Sequence, residues 1–165
     1  TKGATELMGH SYAHLFGVPT TFFRFFTIYG PWGRPDMALF KFAKAILADE
    51  PIDVYGEGQV SRDFTFVDTV CAVIEDALRR QVFSPDPVNL AYGTNTTLLE
   101  LLSDIEGQLG HRVEREHVDP RTGDVRASQA DNSRVRELFP GVNPVPLADG
   151  LASTIDWFRQ MKAVK

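Results

Sequence analysis

Phe22-Phe23-Arg24-Phe25-Phe26-Thr27-Ile28-Tyr29-Gly30-Pro31-Trp32-Gly33-Arg34-Pro35-Asp36-Met37 is the stretch on which the fold turns. From Pro19 to Ile28 it is an apolar run of the length a strand needs, and it then breaks into a loop of Gly and Pro. A continuous apolar run predicts a strand buried on both faces, the kind found in parallel sheets covered by helices. In open parallel sheets, ligands bind in the crevice beyond the carboxyl ends of the strands. The hydroxyl of Thr27 and the guanidinium of Arg34 therefore fall where a ligand would sit. The plainer alternative makes the loop a turn and Arg34 a surface charge.

Elements flank this stretch on both sides. Residues 2–16 place Ala4, Leu7, Met8, Tyr12, Leu15 and Phe16 along one helical face, with Gly17 suited to the position just past the end. His10 and His14 stand one turn apart there, a zinc-compatible spacing without a third ligand, which favours solvated histidines. Ala38 to Leu47 predicts a second helix. Two short strands, Ile52–Tyr55 and Val60–Phe66, are joined by Gly56-Glu57-Gly58-Gln59, which predicts a hairpin turn. Asp68 can cap the next helix, whose expected core face is Val70, Cys71, Ile74, Ala77 and Leu78. Val88–Ala91 predicts a short buried strand, and Thr97-Leu98-Leu99-Glu100 a capping box for a helix ending near Gly110. Arg112–Val118 predicts an edge strand, Ser133–Phe139 a short helix, and Leu147 onward a helix with Leu151, Ile155, Phe158 and Met161 inward. Strands alternating with helices make an α/β pattern.

Composition excludes several classes. The 165 residues are 43% hydrophobic and 24% charged, as in a globular domain, and carry a net charge of -5. No basic field is available for nucleic acid or an anionic membrane, and no apolar run approaches a membrane span. The single cysteine, Cys71, cannot form an internal disulfide and is expected to be a buried, inert thiol. Asn95-Thr96-Thr97 fits a glycosylation acceptor in form only. A cytoplasmic location is the expectation. The sequence opens at Thr1-Lys2 directly into an amphipathic helix, as a chain entered partway through would.

Four segments then occur in order. They are Thr1-Lys2-Gly3-Ala4-Thr5-Glu6, then Arg24 to Pro31, then Tyr55-Gly56-x-Gly58 with Arg62-Asp63-Phe64, and last Arg121-x-Gly123-Asp124-Val125 with Ala130-Asp131. Together they resemble the carboxyl-terminal half of the extended short-chain dehydrogenase/reductase family, the NAD-dependent nucleotide-sugar epimerases and dehydratases. The stretch Pro31-Trp32-Gly33-Arg34-Pro35-Asp36-Met37-Ala38-Leu39-Phe40 is most similar to the UDP-glucuronate 4-epimerase branch. The resemblance implies the last strands and helices of a parallel Rossmann sheet plus a small mixed α/β substrate-binding domain. Residues 1–30 would end the NAD-binding domain. Residues 31–165 would mainly bind substrate, with the strand near 88–91 returning to the Rossmann sheet.

The resemblance further implies NAD as cofactor, a UDP-sugar as substrate, and 4-epimerisation of UDP-glucuronate to UDP-galacturonate through a 4-keto intermediate. Lys2 matches the lysine of the family's Tyr-x-x-x-Lys pair, whose tyrosine would stand before Thr1. A neighbouring cation favours the phenolate, and the lysine can also hold the nicotinamide ribose. Ile28 and Tyr29 match backbone that passes the nicotinamide. Thr27 matches a substrate contact, and Arg62 and Arg121 match pyrophosphate contacts, with Asp124 in the same motif. Ser128 matches a position bordering the sugar, where a small side chain leaves room for a charged one. Arg34 would bind the uronate carboxylate. Ion pairs to Asp63 and Asp124 compete as roles for Arg62 and Arg121, and Asp36 can neutralise Arg34. Another epimerase or dehydratase, a UDP-glucuronate decarboxylase, or a non-catalytic UDP-sugar-binding fragment are the other outcomes. The isolated chain is expected to be inactive and to self-associate, with a homodimer through helix 2–16.

Overall fold

The computed structural model describes residues 1–92, 95–120 and 122–163. In chain order the elements are α1 (Lys2–Phe16), β1 (Phe23–Phe25), β2 (Thr27–Tyr29), α2 (Ala38–Ala48), β3 (Ile52–Tyr55), β4 (Ser61–Phe66) and α3 (Val67–Arg80). Then come β5 (Val88–Leu90), β6 (Asn95–Thr97), α4 (Leu98–Leu109), β7 (Arg115–Val118), β8 (Ala127–Ser128), α5 (Ser133–Leu138) and α6 (Leu147–Ala163).

The predicted single strand is two strands. β1 pairs in parallel with β5, whereas β2 pairs in parallel with β4, so the chain changes sheet at Phe26. β1 is also not buried on both faces. Arg24 is exposed and Phe25 is 51% exposed, because β5 is the strand's only partner among the described residues. Arg24 instead reaches α1, where Nε and Nη2 donate to the two carboxylate oxygens of Glu6 at 2.9 and 2.6 Å.

The predicted hairpin is absent as well. β3 pairs in parallel with β7, while β4 is flanked at Ser61 and Arg62 by β6 on one side and β8 on the other, and pairs with β2 further on, at Phe64–Phe66. Gly56 and Gly58 do adopt the left-handed φ of 60° and 68° that their turn requires. They carry the chain between sheets rather than back along one. A Cβ at Gly58 would also stand 2.6 Å from Leu99 Cγ.

Helices α2, α4 and α6 cover β3 and β4 to enclose the main core, which includes Leu39, Ile46, Val54, Leu101, Ile105 and Leu151. The predicted capping box starts α4: Glu100 N–H donates to Thr97 Oγ1 and Thr97 N–H to Glu100 Oε2. At Gly150, α6 presses so close to Tyr29 that a Cβ would lie 2.2 Å from its hydroxyl. Met161, expected inward, is 42% exposed.

A second core joins α3, α5 and β5 through Val70, Val73, Val88, Leu90, Val135 and Phe139. Here two expectations are corrected. Asp68 is not the cap; Phe66 holds that position, and Asp68 lies in the first turn near the positive end of the helix. Cys71 and Leu78 are exposed, because the stripe that meets β5 and α5 runs through Val70, Val73 and Ala77. The α1 face is corrected too. No residue of α1 is buried, and its packing rests on Phe22, whose ring lies over Gly9 and 5.1 Å from that of His10.

Candidate substrate site

β1 and β5 run parallel and end at Phe25 and Leu90. Thr27 follows just beyond that carboxyl edge and lines a cavity of about 380 Å³. The wall is mostly apolar, with Leu39, Phe42, Ile52 and Phe64 among its residues, and also includes Asp36 and Lys41 from around the start of α2, Arg62 from β4 and Asp124. The volume is in the range of small-molecule sites.

Arg62 is fixed by its neighbours. Nη1 donates to the carbonyls of Ser61 at 2.8 Å and Val125 at 2.6 Å, and Nη2 donates to Asp124 Oδ1 at 2.7 Å. None of these bonds uses Nε, and the side chain keeps 21% exposure. The alternation of β4 sends Asp63 the other way. It is fully buried and accepts the Ala130 N–H at 3.3 Å, so the Arg62–Asp63 ion pair considered from the sequence does not form. Ser128 is half-buried in β8 and stands beside Arg62 in parallel register. Arg121 lies outside the described residues.

Arg34 sits apart from this group, on the turn between β2 and α2. Gly33 N–H donates to Gly30 O at 3.2 Å, and Met37 N–H to Arg34 O at 3.3 Å. Within the turn, Arg34 Nε and Nη2 donate to Asp36 Oδ1 and Oδ2 at 3.0 and 2.5 Å. This fork holds the Asp36 carboxyl below the usual carboxylate range. Asp36 lines the cavity, and Arg34 does not. Trp32 takes a left-handed φ of 61°, and its ring lies 5.3 Å from that of Trp157 on α6.

Tyr29 belongs to the core. Its hydroxyl donates to Leu147 O at 3.2 Å, and burial, with Asp149 adding to it, raises the phenol far above its ordinary pKa. Only its backbone can face a ligand. Ile28 packs against the second core, and Lys2 is exposed at the first position of α1. Lys2, Ile28 and Tyr29, matched from the sequence to the nicotinamide end of a dinucleotide, do not line the cavity. A Gly-rich strand-turn-helix for its pyrophosphate does not occur in this sequence.

Thr27, Arg62 and Asp124 thus meet in one cavity, Ser128 borders them, and Arg34 approaches through Asp36. Lys41 and Asp53 also line the cavity and were not picked out by the sequence reading, and so does Tyr55, which the sequence reading named only within a motif. Asp53 and Tyr55 carried a usable signal: they alternate with Ile52 and Val54, which are buried, so they share the opposite face of β3. Lys41 lies one turn into α2 beyond Asp36. Among the described residues no group of three or more His, Cys, Asp or Glu could hold a metal, and no helix is long and apolar enough to cross a membrane.

Parallel strand pairs covered by helices, with a mostly apolar cavity that carries a few polar groups beyond Phe25, are the architecture of a Rossmann-type fold. Residues 1–91 match the model of the NAD dependent epimerase/dehydratase family, and the chain belongs to that family. It is 38% identical to a probable UDP-glucuronate 4-epimerase of Rhizobium meliloti, over 97% of this chain and 52% of that protein. Its structure is similar to UDP-glucuronic acid 4-epimerase of Bacillus cereus in complex with UDP-glucuronic acid and NAD. That match has a TM-score of 0.86 and 30% identity, over 94% of this chain and 50% of the other. UDP-glucose 4-epimerase of Thermotoga maritima with UDP-glucose gives a TM-score of 0.89 at 28% identity, over 98% and 52%. The chain spans about half the length of the curated relatives it matches.

Proposed function

We propose that the protein containing this chain is an NAD-dependent nucleotide-sugar 4-epimerase that interconverts UDP-glucuronate and UDP-galacturonate. The observation that carries this reading is the meeting of Thr27, Arg62 and Asp124 in one cavity, with the Arg34–Asp36 turn on its rim. Arg62, pinned by two carbonyls and one carboxylate, offers a fixed cation to the pyrophosphate, with Arg121 as its partner in that role. Thr27 hydrogen-bonds the sugar, and Ser128 leaves it room. Arg34 takes the carboxylate, which serves two ends. It selects acid over neutral sugar, and it holds the carboxylate of a 4-keto uronate, a β-keto acid, away from the geometry that releases CO2.

Lys2 stabilises the phenolate of a tyrosine four residues before it, the base for the 4-hydroxyl, and holds the nicotinamide ribose. NAD, when bound beside Ile28 and Tyr29, supplies a reversible hydride acceptor. On this reading residues 1–30 close the cofactor domain and 31–165 mainly form the substrate domain. The isolated chain binds a UDP-sugar at most. α1 pairs two copies through its uncovered face.

A second reading, a 4-epimerase of neutral UDP-sugars, draws on Arg34 being bound to Asp36 outside the cavity wall. It draws also on the likeness to the enzyme that carries UDP-glucose. Product analysis separates the two. The intact protein with NAD is expected to convert UDP-glucuronate to UDP-galacturonate. Turnover of UDP-glucose alone favours the second reading, and turnover of neither overturns both. Arg34→Ala is expected to raise KM for the uronate far more than for UDP-glucose. Equal effects overturn the carboxylate role.

A further inference from the structure

Asp36 does two things at once. Its carboxylate accepts both hydrogen bonds of the Arg34 fork, and the residue is part of the cavity wall, which Arg34 is not. An acidic group at the rim of a site for an anionic ligand opposes that ligand, so its position calls for a physical account.

The backbone around it is held. Hydrogen bonds close the turn at Gly33 and at Met37, and the Trp32 ring lies tilted against that of Trp157, which in turn meets Phe40 and Phe158. What can change is the pairing of the side chains. Arg34 and Asp36 keep 76% and 61% exposure, and pairs this exposed shift an equilibrium only a few-fold. A second carboxylate presented from the cavity can therefore take the guanidinium from the first.

We propose that Asp36 is a specificity-determining residue, a built-in carboxylate that occupies Arg34 and competes with the carboxylate of an acidic sugar. This rests on Arg34 being the carboxylate-binding group. A uronate must displace Asp36 before it gains the fork, whereas a neutral sugar leaves the pair in place. Asp36 thereby lowers the preference for uronate below what Arg34 alone would give, and keeps the bound acid exchangeable.

The test is calorimetric titration of the intact protein with UDP-glucuronate and with UDP-glucose. Asp36→Asn removes the charge at constant size. Losing a negative charge beside Lys41 strengthens binding of both diphosphates, so the ratio of the two affinities is the readout. That ratio is expected to shift about 2- to 5-fold further towards the uronate. In an Arg34→Ala background, Asp36→Asn is expected to leave the ratio unmoved. Asp36→Ser must change it in the same direction as Asp36→Asn. If Arg34→Ala lowers the ratio while Asp36→Asn leaves it unchanged or lowers it, the competitor role is overturned and the Arg34 reading stands. If Arg34→Ala leaves the ratio alone, the carboxylate reading fails and takes this one with it.

Discussion

The apolar faces of α1 and α4 are built from the same kinds of residue and end in opposite surroundings. On α4, Leu101, Leu102 and Ile105 are fully buried between α2, the sheet strands and α6. On α1, Leu7 and Leu15 are each 70% exposed, Phe16 is 66% exposed and Met8 is 63% exposed. Everything that covers α4 lies within this chain. Among the described residues nothing covers the α1 face to a comparable extent, and contiguous exposed apolar groups are the usual mark of an interaction surface. The difference suggests a body that is self-sufficient around the cavity and open at the α1–β1 side, where Phe25 is also bare.

The largest expected effect comes from setting the two faces against each other. Leu102→Ala should lower unfolding free energy in urea by about 2–5 kcal/mol, the range for emptying a packed core position. Leu7→Ala, the same deletion on the open face, should stay within about 0.5 kcal/mol. Comparable losses would break the contrast. A smaller effect, on association, sharpens it. Burying a leucine contributes about 1.5–3 kcal/mol, so Leu7→Glu with Leu15→Glu should weaken self-association by at least about tenfold in sedimentation. An unchanged dissociation constant would move the interface away from α1.

How far the sequence could be followed depends on the range of the interactions. The ends of α1 and α4 were legible because Gly17, Thr97, Glu100 and Gly110 act on their own neighbourhood. The pairing of Ile52–Tyr55 with Arg115–Val118 was not, since nothing local in either strand names its partner. The glycines after Tyr55 specify left-handed φ, and that chemistry suits a hairpin and a sheet crossing equally. For α3 the helix was evident, but a stripe containing Cys71 and Leu78 was as apolar as the one through Val73 that is buried. Of the cavity-lining residues, Thr27 was suggested by its place after a strand end and Arg62 and Asp124 by resemblance to a family, whereas Lys41 looks like an ordinary surface charge and the alternation that marks Asp53 on β3 went unused.

The self-sufficient half offers a third test at its capping box. Thr97→Ala should cost about 0.5–2 kcal/mol in chemical denaturation, because the α4 N-terminus loses the acceptor for Glu100 N–H. The same motif gives a pH dependence. The Thr97 backbone N–H, and then its hydroxyl, hold the Glu100 carboxyl below its ordinary pKa. A folded-state pKa below the unfolded one means stability that is fully present above the unfolded value and lost as pH falls through the folded one. Thr97→Ala, which keeps the backbone donor, should reduce that acid-side slope only in part, and Glu100→Gln should remove this contribution altogether; an unaltered slope in Glu100→Gln would place it elsewhere.

The smallest expected effect belongs to the open side, where Glu6 and Arg24 join α1 to β1. Their fork is bidentate but faces solvent, with Arg24 53% exposed, so it adds little to global stability. Its consequence is local. α1 has no buried residue, and besides this fork it is met by the ring of Phe22 against Gly9 and His10. Loss of one contact should therefore let the helix open by itself while the main core stays closed. Glu6→Gln should leave the urea midpoint where it is and speed amide exchange across α1, with α4 unaffected. Raising the salt concentration should bring wild-type α1 exchange towards that of the variant, since an exposed pair is screened. Exchange that accelerates equally in α1 and α4 would mean that the two faces belong to one cooperative unit.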